Sequence, residues 1–293
     1  MRKHAFLLIA HEHFQILELL LTQLDHERND IYLHIDRKCG RIDEERFRRC
    51  CRKSRLVFIP RRRVYWGHSS LVACELDLMQ AAVDSGEDYA YYHLLSGTDL
   101  QIRSTEEIHR FFDNRPPRQF LAPRDLESGL RGMDRYYFFL PLRAYSRVLA
   151  RGLDTVSRLL QKLFRVHRIK KWQGIRMMKT QQWFSITAEF AEYVLQQRDF
   201  IRSFTRFTSC SDEMFLGTVL ANSPFFRQLS RHSALYGHLR LIDRERAEKA
   251  SPHTWTIDDW DMIEQAQNCF WARKFNEERD PDVIRKVVET WPG

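Results

Sequence analysis

The sequence predicts an α/β protein in which helices flank a mostly parallel sheet. Two observations carry this. A strand, a helix and a second strand fit within the first 36 residues, and the same alternation continues to about residue 107. Strands joined by helical crossovers pair in parallel, because a tight hairpin cannot reverse the chain that way. Composition agrees: 293 residues, 43% hydrophobic, with only 11 Gly and 9 Pro, describe a globular chain and not a disordered one.

Taken in order, residues 5–10 read as a buried strand, and 13–25 as a helix with Phe14, Leu17, Leu20, Leu21 and Leu24 on one face. Asn29-Asp30 signals a turn. Residues 31–36 then alternate as a strand, with His34 and Asp36 on one side. Ligands of parallel sheets bind at the carboxyl ends of the strands, and Asp36 stands at such an end. Residues 56–59 form the next strand, and 69–83 a helix with Ser69 or Ser70 at its N-cap. Residues 89–95 form another strand, which ends in Ser96-Gly97-Thr98-Asp99. Ser104 and Glu107 have the spacing of a capping box. No repeat, low-complexity tract or linker divides the chain, so residues 1–293 read as one domain.

The apolar stretch near the N-terminus is six residues long, too short for a signal peptide, and no run approaches the ~18 apolar residues of a membrane span. Six cysteines lack C-x-x-C or zinc spacing. They are predicted to be reduced thiols in a cytoplasmic protein. The net charge of +8 implies an anionic partner: nucleic acid, a membrane surface or nucleotide phosphates.

A basic helical insertion is expected at about 140–172. Leu142, Tyr145, Leu149, Val156, Leu160 and Leu163 recur at helical spacing, among nine Lys or Arg residues from Arg143 to Lys171 and one acid, Asp154. This is one helix or a pair broken near Gly152. Two readings stand side by side: a surface helix with a solvated basic face, or peripheral docking on the inner face of an anionic membrane.

Three constellations carry chemistry. Trp66, beside Gly67 on a loop, offers a ring face that could stack on sugar C–H groups, although a lone Trp also suits a core. Asp99 follows an apolar strand. Asp212-Glu213 are paired acids entering a helix, where they could equally serve the helix dipole.

In order along the chain, Tyr32-Leu33-His34-Ile35-Asp36, Trp66-Gly67-His68-Ser69, His93 to Asp99, Asp212-Glu213-Met214-Phe215 and Phe270 to Phe275 resemble the core-2/I-branching β-1,6-N-acetylglucosaminyltransferase family, which includes the peptide O-xylosyltransferases. The resemblance spans about residues 5–277 and is weakest over 120–175. It implies a GT-A-like, Rossmann-like mixed sheet, a UDP-sugar (GlcNAc or xylose) as co-substrate with no other cofactor, inversion at the anomeric carbon, and no divalent metal. It places Glu213 as the catalytic base, with Asp212 positioning it or raising its pKa. Lys274 falls on the family's diphosphate-binding lysine, which would neutralise the leaving group.

Arg273 is expected on the opposite strand face. The second diphosphate cation aligns poorly, with Arg240 and Arg244 as candidates. Asp36 resembles the acid near the uridine–ribose end, and Asp99 stands where other GT-A proteins carry a metal motif. Trp66 falls in the donor-sugar region. Trp183 falls near the acceptor, with core packing as the competing reading. The acceptor is expected to be a carbohydrate or a lipid-linked hydroxyl.

Asp259-Trp260-Asp261 and Asp280-Pro281-Asp282 are literal Asp-x-Asp patterns, but neither follows an apolar strand. No ligand spacing singles out His11, His34 and Asp36 as a metal site. A basic nucleic-acid-binding protein is the competing class. Against it, the cations cluster in one helical segment and no base-reading motif is present. A catalytically inactive sugar-binding protein is the third reading, opposed by the presence of both Glu213 and Lys274.

Overall fold

The computed structural model describes residues 2–124, 133, 135–138, 147–230, 237–247 and 251–293. Its strands are β1 (Lys3–Ala10), β2 (Asn29–Ile35), β3 (Arg55–Phe58), β4 (Tyr89–Ser96), β5 (Asp99–Gln101), β6 (Ser185–Thr187), β7 (Arg240–Ile242) and β8 (Trp271–Arg273). The α-helices are α1 (Phe14–Gln23), α2 (Glu44–Arg48), α3 (Ser70–Val83), α4 (Thr105–Asp113), α5 (Arg147–Leu163), α6 (Ala188–Gln196), α7 (Arg198–Thr205), α8 (Phe215–Ala221), α9 (Trp260–Glu264) and α10 (Pro281–Thr290).

The main sheet has the order β3-β2-β1-β4-β6, parallel except for the antiparallel β4–β6 pair. This is the expected GT-A-like, Rossmann-like mixed sheet. Its central strand β1 is apolar on both faces, as a strand covered on both sides must be. Phe6, Leu8 and Ala10 join the core that contains α1 and α10, while Ala5, Leu7 and Ile9 join the core under α3, α6 and α8. The alternation along one strand thus divides the interior into two layers.

A second sheet, ordered β5-β8-β7, was not legible in the sequence. Its strands are three residues each, too short for a periodic signal. Register sets Asp99 opposite Arg273 and Arg240 opposite Trp271, which determines what these charges do.

Local expectations hold with four corrections. Asn29 and Asp30 are not a turn: they open β2, paired with His4 and Ala5 of β1. Ser104 Oγ accepts from the Glu107 amide at 3.2 Å, starting α4 as its spacing implies. Ser69 stands before α3 but its side chain caps nothing, while Ser70 Oγ accepts from the Tyr65 amide instead. Gly152 lies inside the continuous helix α5, so the insertion does not break there. Arg168 leaves the basic surface: it is buried, with its guanidinium donating to the Phe204 and Phe207 carbonyls and to Thr208 Oγ1. Leu142, Arg143 and Tyr145 lie outside the described residues, as do the side chains of Arg147 and Arg151.

Gly97 ends β4 at a crowded point. A Cβ there would lie 2.8 Å from Ala10 Cβ, closer than carbon atoms approach without displacement. Gly97→Ala should therefore destabilise the protein by about 1–3 kcal/mol, measured by urea denaturation. Ala10→Gly should recover part of the loss in the double variant. Equal stability of Gly97→Ala and the native chain would show that the two strand ends do not meet in this way.

Candidate active site

A cavity of about 210 Å³ opens at the carboxyl edge of the main sheet. It is built where β1, β2 and β4 end: Ile9 and His11 follow from the first, Asp36 from the second, and Ser96 to Thr98 from the third. The loop before α3 contributes Trp66, the stretch before β6 contributes Trp183, and β8 contributes Arg273. Four of the sequence candidates (Asp36, Trp66, Trp183 and Arg273) therefore line one pocket.

Their environments differ. Trp66 is 73% exposed, so its ring is not a core ring; the loop turns at Gly67, whose φ is +69°. Trp183 is 5% exposed and packs under Arg273, whose guanidinium carbon lies 4.7 Å from the ring centroid. It is both a core residue and a wall of the pocket. Asp36 is almost fully buried: it accepts from the Lys38 and Val64 amides at 2.8 and 3.2 Å and pairs with the Lys38 ammonium at 3.2 Å. Both carboxylate oxygens thus have protein partners.

Arg273 faces the pocket, contrary to the strand-alternation argument. Its Nη1 donates to Ser96 Oγ, to Thr98 Oγ1 at 2.9 Å and to Asp99 Oδ1 at 3.0 Å. β8 ends at Arg273, so alternation says nothing about Lys274. Lys274 Nζ donates at 3.1 Å to Glu12, which also lines the cavity. The two cations therefore serve the same edge.

Two sequence candidates are corrected. Asp99 is fully buried and accepts from the Ser96 amide, Ser96 Oγ and Arg273. It anchors Arg273 and presents no surface to a substrate. Arg240 is also fully buried: it donates to the Leu94, Phe184 and His238 carbonyls and to Ser185 Oγ, and lies over the Trp271 ring. Burial lowers its pKa to about 9. It ties the two sheets together and cannot reach a diphosphate. Arg244, the other candidate, is exposed, and its charge is felt by Glu213, Arg273 and Asp212.

The paired acids sit on a tight turn at Ser211–Glu213, entered through Cys210 in the left-handed region (φ +51°). The Cys210 amide donates to the Gly67 carbonyl at 2.9 Å, which ties the acid turn to the Trp66 loop. One strap, residues 179–183, connects the turn with the pocket. Lys179 Nζ lies 3.0 Å from Glu213 Oε2, and the Thr180 amide donates to the Glu213 carbonyl at 2.8 Å. Farther along the strap, Gln182 and Trp183 reach the cavity. Gly217 of α8 lets that helix lie directly on the strap, since a Cβ there would meet Thr180 Cγ2 at 2.7 Å and, just before the strap, the Met178 carbonyl at 2.6 Å.

Glu213 is partly accessible, whereas Asp212 is buried behind it. Burial, reinforced by the Glu213 charge, pushes Asp212 up to about 7. Glu75 on α3 is wholly buried, and burial with the nearby Asp212 carboxylate raises its pKa well above the carboxylate range. Glu75 Oε1 accepts from Gln182 Nε2 at 3.0 Å, so this second acid also bears on the strap. Its signal was present in the sequence: Glu75 falls on the same helical face as Val72, Leu76 and Met79, an acid at a core position. Lys179, Gln182 and Glu12 stand in unpatterned stretches, and only the tertiary structure brings them to the site.

The Asp-x-Asp patterns serve helices. Asp259 accepts from Arg246, His253 and Thr256, and Asp280 accepts from the Asp282 and Val283 amides at the start of α10. Among the described residues, no three His, Cys, Asp or Glu side chains group to hold a metal ion.

The raised pKa of Asp212 makes stability depend on pH. A carboxyl that holds its proton more tightly when folded stabilises the fold below its ordinary pKa, and that contribution is lost as pH rises through about 7. At pH 8 the ionised, buried Asp212 is a burden that Asn would not carry. Asp212→Asn should gain about 1–3 kcal/mol at pH 8, with the difference closing towards pH 4. Thermal unfolding across that range measures it, and a difference independent of pH would contradict the assignment.

Residues 4–269 match the family model described as "Core-2/I-Branching enzyme". Xylosyltransferase 2 from Canis lupus familiaris is 25% identical over 96% of this chain, and the proteins of that name from Rattus norvegicus and Homo sapiens are each 24% identical over the same share. The alignment takes in 32% of each of these proteins, so the chain spans about a third of the length of these curated relatives. Among solved structures, apo mouse xyloside xylosyltransferase 1 aligns with 77% of this chain and 83% of its own, at 9% identity and a TM-score of 0.35. On the family match, which covers most of its length, this chain belongs to the Core-2/I-branching enzyme family.

Proposed function

We propose that the chain transfers a sugar from a UDP-sugar to a hydroxyl of a carbohydrate or lipid-linked acceptor, with inversion and without a divalent metal. The observation that supports this reading is a strand-end pocket walled by the fixed cation Arg273, with Lys274 paired to Glu12 of its lining and the partly accessible carboxylate of Glu213 joined to it through the strap. In the proposed reaction the acceptor oxygen attacks the anomeric carbon while Glu213 takes its proton. The bond from that carbon to the diphosphate oxygen breaks, and UDP leaves with the electron pair. Lys179 occupies Glu213 Oε2, leaving Oε1 to receive the proton.

Charge that builds on the departing diphosphate needs a pre-placed counter-charge. Arg273 is already held by Asp99, Ser96 and Thr98, so it need not reorganise. Lys274 would exchange Glu12 for phosphate oxygen, and Arg244 is positioned as a third cation. Trp66 offers its exposed face to the donor sugar, and Asp36 the edge of its carboxylate to the uridine end. The names of the relatives make UDP-xylose the first donor to test, and UDP-GlcNAc, the other donor implied by the family resemblance, the second. The six unpaired cysteines support a reducing, cytoplasmic compartment.

Glu213→Gln should retain UDP binding and lose transfer by ~10²–10⁴-fold, read by release of UDP from each donor in the presence of acceptor. Transfer at the native rate would remove Glu213 from the chemistry. Lys274→Ala should weaken UDP binding by roughly ten-fold or more, read by titration. Unchanged affinity would show that Lys274 stays with Glu12 and does not meet the diphosphate.

A further inference from the structure

Helix α5 is fastened to the protein by its polar side. Gln161 is buried: its Nε2 donates to the Tyr136 carbonyl at 2.9 Å, and its Oε1 accepts from the Tyr136 amide at 2.8 Å. Asp154 and Ser157, on the same face, are half-buried. The apolar face is turned to solvent. Leu153, Val156, Leu159, Leu160, Leu163 and Phe164 are 46–73% exposed. This inverts the usual arrangement, in which a surface helix buries its apolar stripe. A contiguous patch of this kind marks an interaction surface.

Charge decides which surface would cover it. At 100° per residue, Leu153, Val156, Leu160 and Leu163 form one stripe, and Arg158 and Lys162 lie opposite, with Arg165 exposed just past the end of the helix. Lys170 and Lys171 follow, also exposed, and residues 147–172 contain one acid, Asp154. A second copy of this chain would bring like charge to like charge. An anionic bilayer satisfies both faces: the apolar stripe enters the acyl boundary while the cations lie among the headgroups. No described helix is long and apolar enough to cross a membrane.

We propose that α5 docks the protein, in the plane of the interface, on an anionic lipid surface. The attachment through Tyr136 and buried Arg168 sets the side of the protein that would face the lipid. Phe138 and Phe207, whose rings lie 5.5 Å apart, line a groove of about 770 Å³ next to α7.

The test is co-sedimentation of the intact chain with vesicles of phosphatidylcholine alone or mixed with phosphatidylglycerol, at low and high salt. Binding is expected only with phosphatidylglycerol and should weaken with salt, because exposed charges are screened over about 8 Å at physiological ionic strength. Leu160→Glu, and separately the pair Arg158→Glu and Lys162→Glu, should each cut the bound fraction by roughly ten-fold or more. Circular dichroism should show both variants folded, since these positions face solvent. A protein that stays in the supernatant overturns the proposal, as does binding indifferent to either variant. Self-association without vesicles that Leu160→Glu abolishes would assign the patch to a second copy instead. No sugar enters the assay, so its outcome is independent of the proposed transfer.

Discussion

The Asp99–Arg273 pair is the interaction on which the site depends. Asp99 is completely buried, and an ionised carboxylate removed from water is tolerated only when paired and hydrogen-bonded. Here it accepts from the Ser96 amide at 2.9 Å, from Ser96 Oγ at 2.6 Å and from Arg273 at 3.0 Å. These contacts join the end of β4 to β8 across the second sheet, and Arg273 in turn lies over Trp183 on the strap. One buried carboxylate therefore sets a cation at the pocket wall and helps determine where the strap runs.

The strap transmits that order to the acid turn. Its start holds Glu213 through Lys179 and Thr180, and its end forms the pocket. Beneath it Glu75 and Asp212 form a second tier of carboxyls that burial disfavours in their charged forms. Of these three acids only Glu213 is partly accessible, which is why the proposed reaction gives it the acceptor's proton.

Much of the main sheet was legible because its strands are apolar and helical patterns separate them. β1, β2 and β4 end close to where periodicity and turn residues placed them. The second sheet escaped because three-residue strands have no period, and that gap caused the errors over charges. Asp99 and Arg240 stand at suggestive positions, but their side chains turn into the junction between the sheets. Arg273 failed the other way, since its strand ends before alternation can be extended. Glu75 was legible in principle as an acid on an apolar helical face. Lys179 and Glu12 were not, because their partners, Glu213 and Lys274, are distant in sequence.

The central claim is that fixed protein cations, and no divalent ion, receive the diphosphate. Calorimetric titration of UDP into the intact chain, in EDTA and again with Mn²⁺, addresses it most directly. The account predicts saturable one-site binding in EDTA with an affinity that Mn²⁺ leaves unchanged. Binding that vanishes in EDTA and returns with Mn²⁺ would contradict it.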